Sequence, residues 1–212
     1  MEQANEDGEW LAESYKLQND SIWPGRGQHI LAQYTDEYVV VYQAFNDAIA
    51  NAAVERQNFI GIPGYNPTRM TWIKSNFAWM MFRSKWASKP NQTSVLAIFL
   101  KRAAFDGYLL NARTNGTVRE AEGTIRLQWD PDHLPSGSPH HARRAVQLGL
   151  RGVSTFADGT DIVKIVNVTD FCIQQRPLAL RKKGYAPELM SARERVYIPK
   201  DAAVCKSVGI DM

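Results

Sequence analysis

Three stretches of this 212-residue chain carry residue types that can do chemistry. The densest is Arg69-Met70-Thr71-Trp72-Ile73-Lys74-Ser75-Asn76-Phe77-Ala78-Trp79-Met80-Met81-Phe82-Arg83-Ser84-Lys85-Trp86. Read as a helix from Trp72 to Ala87, it puts Trp72, Asn76, Trp79, Arg83 and Trp86 on one stripe. Ile73, Phe77, Met80 and Ser84 then form the next stripe, turned by about 100° per residue. So wide an apolar face belongs in a core, where Arg83 and Ser84 need partners. Arg83 either stacks on Trp79 and pairs with an acid, or anchors a phosphate, a carboxylate or a terminal adenosine. Ser84 either bonds back to a helix carbonyl or serves as a nucleophile. Lys74, at the start of such a helix, opposes the macrodipole by about 0.3–1 kcal/mol, which favours a ligand or RNA contact over a structural role.

The second stretch is Arg126-Leu127-Gln128-Trp129-Asp130-Pro131-Asp132-His133. Gln128 and Asp130 alternate with Trp129, so on a strand they project to one side, at the end where sites are commonly built. Asp130, Asp132, His133, His140 and His141 are metal-ligand types, but their spacing fits no ligand pattern and no metal is expected. The third stretch, Arg143-Arg144-Ala145-Val146-Gln147-Leu148-Gly149-Leu150-Arg151, reads as a strand preceded by Arg144 and ended by Arg151. Gln147 interrupts its apolar run and must find partners in main chain or substrate. The basic residues Arg176, Arg181, Lys182 and Lys183 form a solvated face, or backbone contacts if the partner is RNA.

The elements that must position these residues alternate between periods. Ile30–Phe45, Val95–Leu100, Ile125–Trp129, Ala145–Leu150 and Ile162–Val168 read as strands, with a further one within Arg193–Pro199. Asn46 can cap a helix holding Ile49, Ala52, Ala53 and Arg56, and Lys101–Ala112 reads as another. Gly61–Pro67 and Asp130–His141 read as loops, Thr169 as the cap of a short helix, and Arg176–Ala192 as irregular. There is no strict βαβ rhythm and no Gly-rich phosphate loop. The expectation is an α+β fold, one compact domain with a mixed or antiparallel sheet packed by helices. Its catalytic part should span 23–200, between an acidic mobile arm at 1–22 and a tail at 201–212. Trp10, Leu11, Tyr15 and Leu17 could dock part of that arm.

Composition narrows the class. Apolar residues at 44% and charged residues at 22% exclude wholesale disorder and fibrous structure. The apolar runs fall far short of the roughly 18 residues of a membrane span, and the acidic first residues resemble no leader peptide. Cys172 and Cys205 suggest neither a disulfide framework nor a metal site. A soluble, cytoplasmic protein is expected. The net charge of +3 includes an acidic start (Glu2, Glu6, Asp7, Glu9, Glu13 and Asp20 against Lys16), so the body is the more basic part. That charge is compatible with a polyanionic partner.

A resemblance joins these pieces. Trp23-Pro24, His29-Ile30-Leu31-Ala32-Gln33-Tyr34, Val40-Val41-Tyr42-Gln43-Ala44-Phe45, Arg69–Lys74, Trp79–Ser84, Leu127–His133, Arg144–Gly152 and Glu194-Arg195-Val196-Tyr197 together resemble a bacterial and fungal domain family that long lacked an assigned function. The likeness runs from about Trp23 to Pro199. Four positions depart from the family pattern: Ser75 stands where Pro is usual, Ala78 where a larger apolar residue is, Lys85 where Gly is, and Thr35 where Asp is.

The family's fungal branch includes the arginine-containing cyclodipeptide synthases of natural-product pathways. The resemblance implies arginyl-tRNA and a second aminoacyl-tRNA as partners, with no cofactor, metal or ATP, because the ester is already activated. Ser84, Arg83 and Lys74 are then the candidates for catalysis. Trp72, Trp79, Gln128, Asp130, Gln147 and Glu194 are candidates for substrate binding, with Asp130 or Glu194 meeting the guanidinium and Trp72, Trp79 or Trp129 stacking a terminal base. Arg69, Arg144, Arg151, Lys182 and Lys183 are candidates for tRNA, joined by Lys74 as a phosphate contact. Acyl transfer through Ser84 and direct attack by the second amine both satisfy the reaction. Ribosyl transfer from NAD to RNA or protein, and RNA binding without catalysis, are the rival readings.

Overall fold

The continuous apolar runs become the middle of one sheet. The computed structural model describes residues 8–114 and 121–211. The first elements are β1 (Ala12–Ser14), α1 (Tyr15–Ser21), β2 (Gly27–Gln28), β3 (Ile30–Ala32) and β4 (Tyr38–Phe45). Next come α2 (Asp47–Arg56), β5 (Thr71–Lys74), α3 (Phe77–Ser84), β6 (Ser94–Lys101) and α4 (Arg102–Asn111). After them run β7 (Thr124–His133), β8 (Pro139–Arg151), α5 (Ser154–Ala157), β9 (Ile162–Asn167) and α6 (Thr169–Ala179). The chain closes with β10 (Met190–Ala192), β11 (Arg195–Tyr197) and α7 (Ala202–Val208).

Among the described residues the main sheet runs β7–β8–β5–β4–β6–β9, with β2 beside the start of β8. The β2–β8 pair is parallel and the other pairs are antiparallel, so the sheet is mixed and the fold is α+β. β4 and β6 pair in unbroken register from Tyr38↔Lys101 to Phe45↔Ser94. Both faces of these strands are covered, which is why their sequences are nearly continuous in apolar residues. Val39, Val41, Leu96 and Ile98 face a first core filled by α2, α4 and α7. Val40, Tyr42, Ala97 and Phe99 face a second, filled by Tyr15, by Phe77, Met80 and Met81 of α3, and by Cys172 of α6. The edge strand β9 is blunted by Gln57, whose amide both donates to Ile165 O and accepts from Ile165 N.

Several expectations need correction. The expected helix from Trp72 to Ala87 is a strand, a corner and a shorter helix. Thr71 and Ile73 alternate with Trp72 and Lys74 at period two, and β8 supplies a partner for all four. Asn76 then caps α3, its Oδ1 accepting from Trp79 N at 2.7 Å. Lys85, Trp86 and Ala87 leave the helix in left-handed backbone, at φ of 52°, 54° and 58°. The five-residue stripe therefore does not exist as one helical face.

The loop expected over Asp130–His141 is mostly the β7–β8 hairpin, because its polar residues find buried work. Arg143 Nε donates to Asp132 Oδ2 with both side chains 1% exposed, and His133 stacks on Phe82 at 3.8 Å. Thr169 begins α6 without capping it, its Oγ1 accepting instead from Val95 N. α6 reaches Ala179, so the stretch expected to be irregular begins later than Arg176.

The ends are structural too. β1 pairs with β10, and Trp10 Nε1 donates to Tyr42 Oη at 3.0 Å. From Trp10 onward the expected mobile arm thus covers the second core; residues 1–7 lie outside the described ones. The expected tail carries α7, whose Val204, Cys205 and Val208 complete the first core. No helix among the described residues is long and apolar enough to cross a membrane.

Candidate functional site

β4 and β5 share a single register pair, Tyr42↔Lys74. Beyond it a side chain takes over the ladder: Gln43 Nε2 donates to Trp72 O at 3.1 Å and to Thr71 Oγ1 at 2.6 Å. Where the strands diverge lies a cleft of about 600 Å³, within the roughly 300–1,000 Å³ of small-molecule sites. Its walls draw on both cores: Ile49 belongs to the first, Met80 to the second.

Lys74, Gln147 and Gln128 occupy one register row across β5, β8 and β7, so their side chains share a face of the sheet. Gln147 Nε2 donates to Gln128 Oε1 at 2.9 Å and to Asp130 Oδ2. Lys74 is 3% exposed, its Nζ 4.2 Å from the centre of the Trp79 ring. Burial pushes its pKa down to about 7, the Arg83 charge adds to the drop, and Asp130 opposes it. A lysine in this state is a proton acceptor at neutral pH. Burial also raises the pKa of Asp130, against the pull of Lys74 and His133.

The other wall depends on a glycine. Trp72 lies opposite Gly149, and a Cβ at that position would meet Met70 Sδ at 2.6 Å and the Trp72 ring at 3.0 Å. Arg69 and Arg83 line the cleft as exposed side chains. Gln92 steadies Arg83: its Nε2 donates to Arg83 O at 3.0 Å and its Oε1 accepts from Arg83 Nη1 at 3.2 Å.

The cleft thus gathers Arg69, Trp72, Lys74, Trp79, Arg83, Gln128 and Gln147, with Asp130 joined through Gln147. Arg83 is exposed rather than set among aromatics, and Lys74 ends a strand rather than starting a helix. Ser84 lies outside the lining. It is 0% exposed, its Oγ donating to Met80 O at 2.9 Å and accepting from Ala87 N at 3.3 Å. Glu194 is also outside, 1% exposed, with Oε1 accepting from Phe77 N at the start of α3. Burial holds the pKa of its carboxyl well above the usual range.

Trp129 is tied to α7, Nε1 donating to Val208 O at 2.8 Å. Arg144 is exposed opposite Pro131 and acts on Asp130 through its charge. Arg151 stands opposite Thr124 at the far end of β8, and Lys182 and Lys183 sit in the exposed turn after α6; none of the three lines the cleft. Among the described residues no group of three or more His, Cys, Asp or Glu is arranged to hold a metal ion.

Sequence reasoning passed over Gln43, although it interrupts an apolar strand just as Gln147 does, and that signal could have found it. It also passed over Tyr65, Asn91 and Gln92, which reach the cleft from loops and carry no periodic signal. No curated protein matches the chain. One family does, described as a domain of unknown function (DUF4291), and its match covers residues 29–197, which include every strand of the main sheet except β2 and all residues lining the cleft. The chain belongs to the DUF4291 family.

Proposed function

We propose that this protein is an aminoacyl-tRNA-dependent cyclodipeptide synthase joining arginine to a second amino acid. The observation that carries the reading is Lys74: a buried amine on the cleft wall, with a pKa near 7, beside two tryptophans and a Gln128–Gln147–Asp130 network. Aminolysis of an ester needs the attacking amine as a free base, and α-ammonium groups hold their proton near pH 7.7–8.0. Neutral Lys74 takes that proton. The freed nitrogen attacks the neighbouring aminoacyl carbonyl, a C–N bond forms and the ester C–O bond breaks; of the two protons the nitrogen loses on becoming an amide, one passes through Lys74 to the departing ribose oxygen and the other is released to solvent. A second aminolysis in the opposite sense closes the ring and releases the second tRNA.

Direct attack suits the buried, fully bonded Ser84 better than an acyl-serine does. Asp130, held by Gln147, is the carboxylate offered to the arginyl guanidinium. Arg69 and Arg83 supply positive charge for acceptor-end phosphates.

The test is reconstitution. Purified protein with charged tRNA and no ATP should yield a cyclo-arginyl dipeptide by mass spectrometry, and ribonuclease should stop it. Lys74→Met should reduce the rate by about 10²–10⁴, while Ser84→Ala should keep product formation and lose about 1 kcal/mol of stability or less. Product from free amino acids and ATP alone would overturn the reading. Release of nicotinamide from NAD would favour ribosyl transfer instead, and tRNA binding that never consumes the ester would favour a binding module.

A further inference from the structure

The cleft has a second character away from Lys74. Phe45, Ile49 and Tyr65 belong with the first core, on the opposite side of the sheet from Lys74 and Met80. Their wall is stiff. Phe59 backs Tyr65 in a stack at 5.0 Å and 25°, and Phe45 meets Phe59 at 5.6 Å and Tyr65 at 6.1 Å. Gly64 follows the same wall with φ of 86°, and a Cβ there would sit in ordinary contact with Ile49, 3.6 Å from its Cδ1. Phe45, Ile49, Gly64 and Tyr65 bring no charge to this part of the cleft.

One polar atom there lacks a partner among the described residues. Gln43 is 3% exposed, and its Nε2 must face Trp72 O, because a backbone carbonyl can only accept. Its Oε1 is therefore fixed on the other side of the amide, and it has no hydrogen-bond partner among the described residues. A buried acceptor left in this state has given up its hydration with nothing in exchange. An N–H or O–H group on a ligand filling the aromatic part would recover that loss.

We infer that this part of the cleft is the side-chain pocket for the amino acid joined to arginine, and that it takes a neutral aromatic ring with a single donor on its edge, an indole or a phenol, bonded to Gln43 Oε1. The inference rests on the synthase reading above for the word "joined", but the pocket itself can be tested without turnover. A site built to bond an O–H or N–H rejects the analogue lacking it, because the acceptor is then left unpaired.

The experiment titrates the protein with tyrosinamide, tryptophanamide, phenylalaninamide and lysinamide, following the backbone amide signals of Gly64, Tyr65 and Asn66 by NMR. Tyrosinamide or tryptophanamide should bind at least about tenfold more tightly than phenylalaninamide, with lysinamide weakest. Gln43→Leu should erase the preference over phenylalaninamide, a ratio that general loosening of the fold would not move selectively. Tyr65→Ala should weaken the aromatic amides together. Equal binding of phenylalaninamide, tight binding of lysinamide, or a preference that survives Gln43→Leu overturns the pocket.

The turnover arm separates the two ideas. The amide preference without any cyclodipeptide keeps the pocket and sinks the synthase reading. A cyclodipeptide whose second residue is small or charged keeps the synthase and sinks the pocket.

Discussion

Replacing Lys74 with methionine should make the protein more stable and inactive. A proton released near pH 7 in the folded chain, against 10.5 ordinarily, corresponds to about 5 kcal/mol, taking 1.4 kcal/mol for each tenfold change. That figure is an upper bound on the penalty of burying the ammonium, since the fold relaxes around it. Methionine keeps the length of the stem and its contact with Trp79 while giving up a cation–π attraction of about 0.5–2 kcal/mol. A net gain of about 2–3 kcal/mol at pH 7 is expected.

The sign also fixes the pH dependence. A lysine whose folded pKa is depressed weakens the fold fully at and below the folded value, and the penalty fades as pH rises toward the unfolded value. Wild type should therefore gain roughly 2 kcal/mol between pH 7 and pH 9 relative to Lys74→Met. Urea denaturation of both proteins at the two pH values, read by tryptophan fluorescence, supplies the difference and cancels groups common to both. A variant less stable than wild type at pH 7, or a difference independent of pH, would refute the burial argument and with it the proton-acceptor role.

Three further outcomes follow from the frame. Lys85→Gly should raise stability by about 1 kcal/mol in thermal unfolding, because φ of 52° suits glycine and strains a side chain. Glu194→Gln keeps an acceptor for Phe77 N–H and removes a buried acid whose pKa is raised. Since such an acid weakens the fold as pH rises above its unfolded value, the variant should be the more stable at pH 7, with the difference vanishing toward pH 4. Asp132→Ala strands the Arg143 charge and should cost about 3–5 kcal/mol in urea unfolding, whereas joint replacement by Asp132→Leu and Arg143→Met should restore much of it.

What the sequence disclosed depended on whether a residue's role is local. β4 and β6 were legible because continuous apolar runs have few other uses, and α2 because Asn46 and its apolar spacing agree. The residues from Trp72 to Ala87 were not legible as a unit. Their strand half exists because β8 pairs with it, a contact made across more than seventy residues. Gln128, Asp130 and Gln147 could be chosen from alternation on strands, and the register brings all three together. Arg83 and Ser84 were rightly set about 100° apart on a helix, but which of them would meet the cleft depended on packing against the hairpin. Glu194 looked like a binding acid because its charge is visible in sequence and its burial under α1 and α3 is not.

The four positions that depart from the pattern the sequence resembles have physical roles of their own. Thr35 does turn work: its Oγ1 accepts from Glu37 N at 3.1 Å and Tyr38 N at 3.3 Å, which an Asp carboxylate could also do. Lys85 carries backbone strain at the end of α3. Ser75 and Ala78 are buried at the corner between β5 and α3, and Ser75 Oγ has no partner among the described residues. None of the four lines the cleft. They alter the corner that carries Lys74 and Trp79, so their effect should fall on how firmly those two side chains are held.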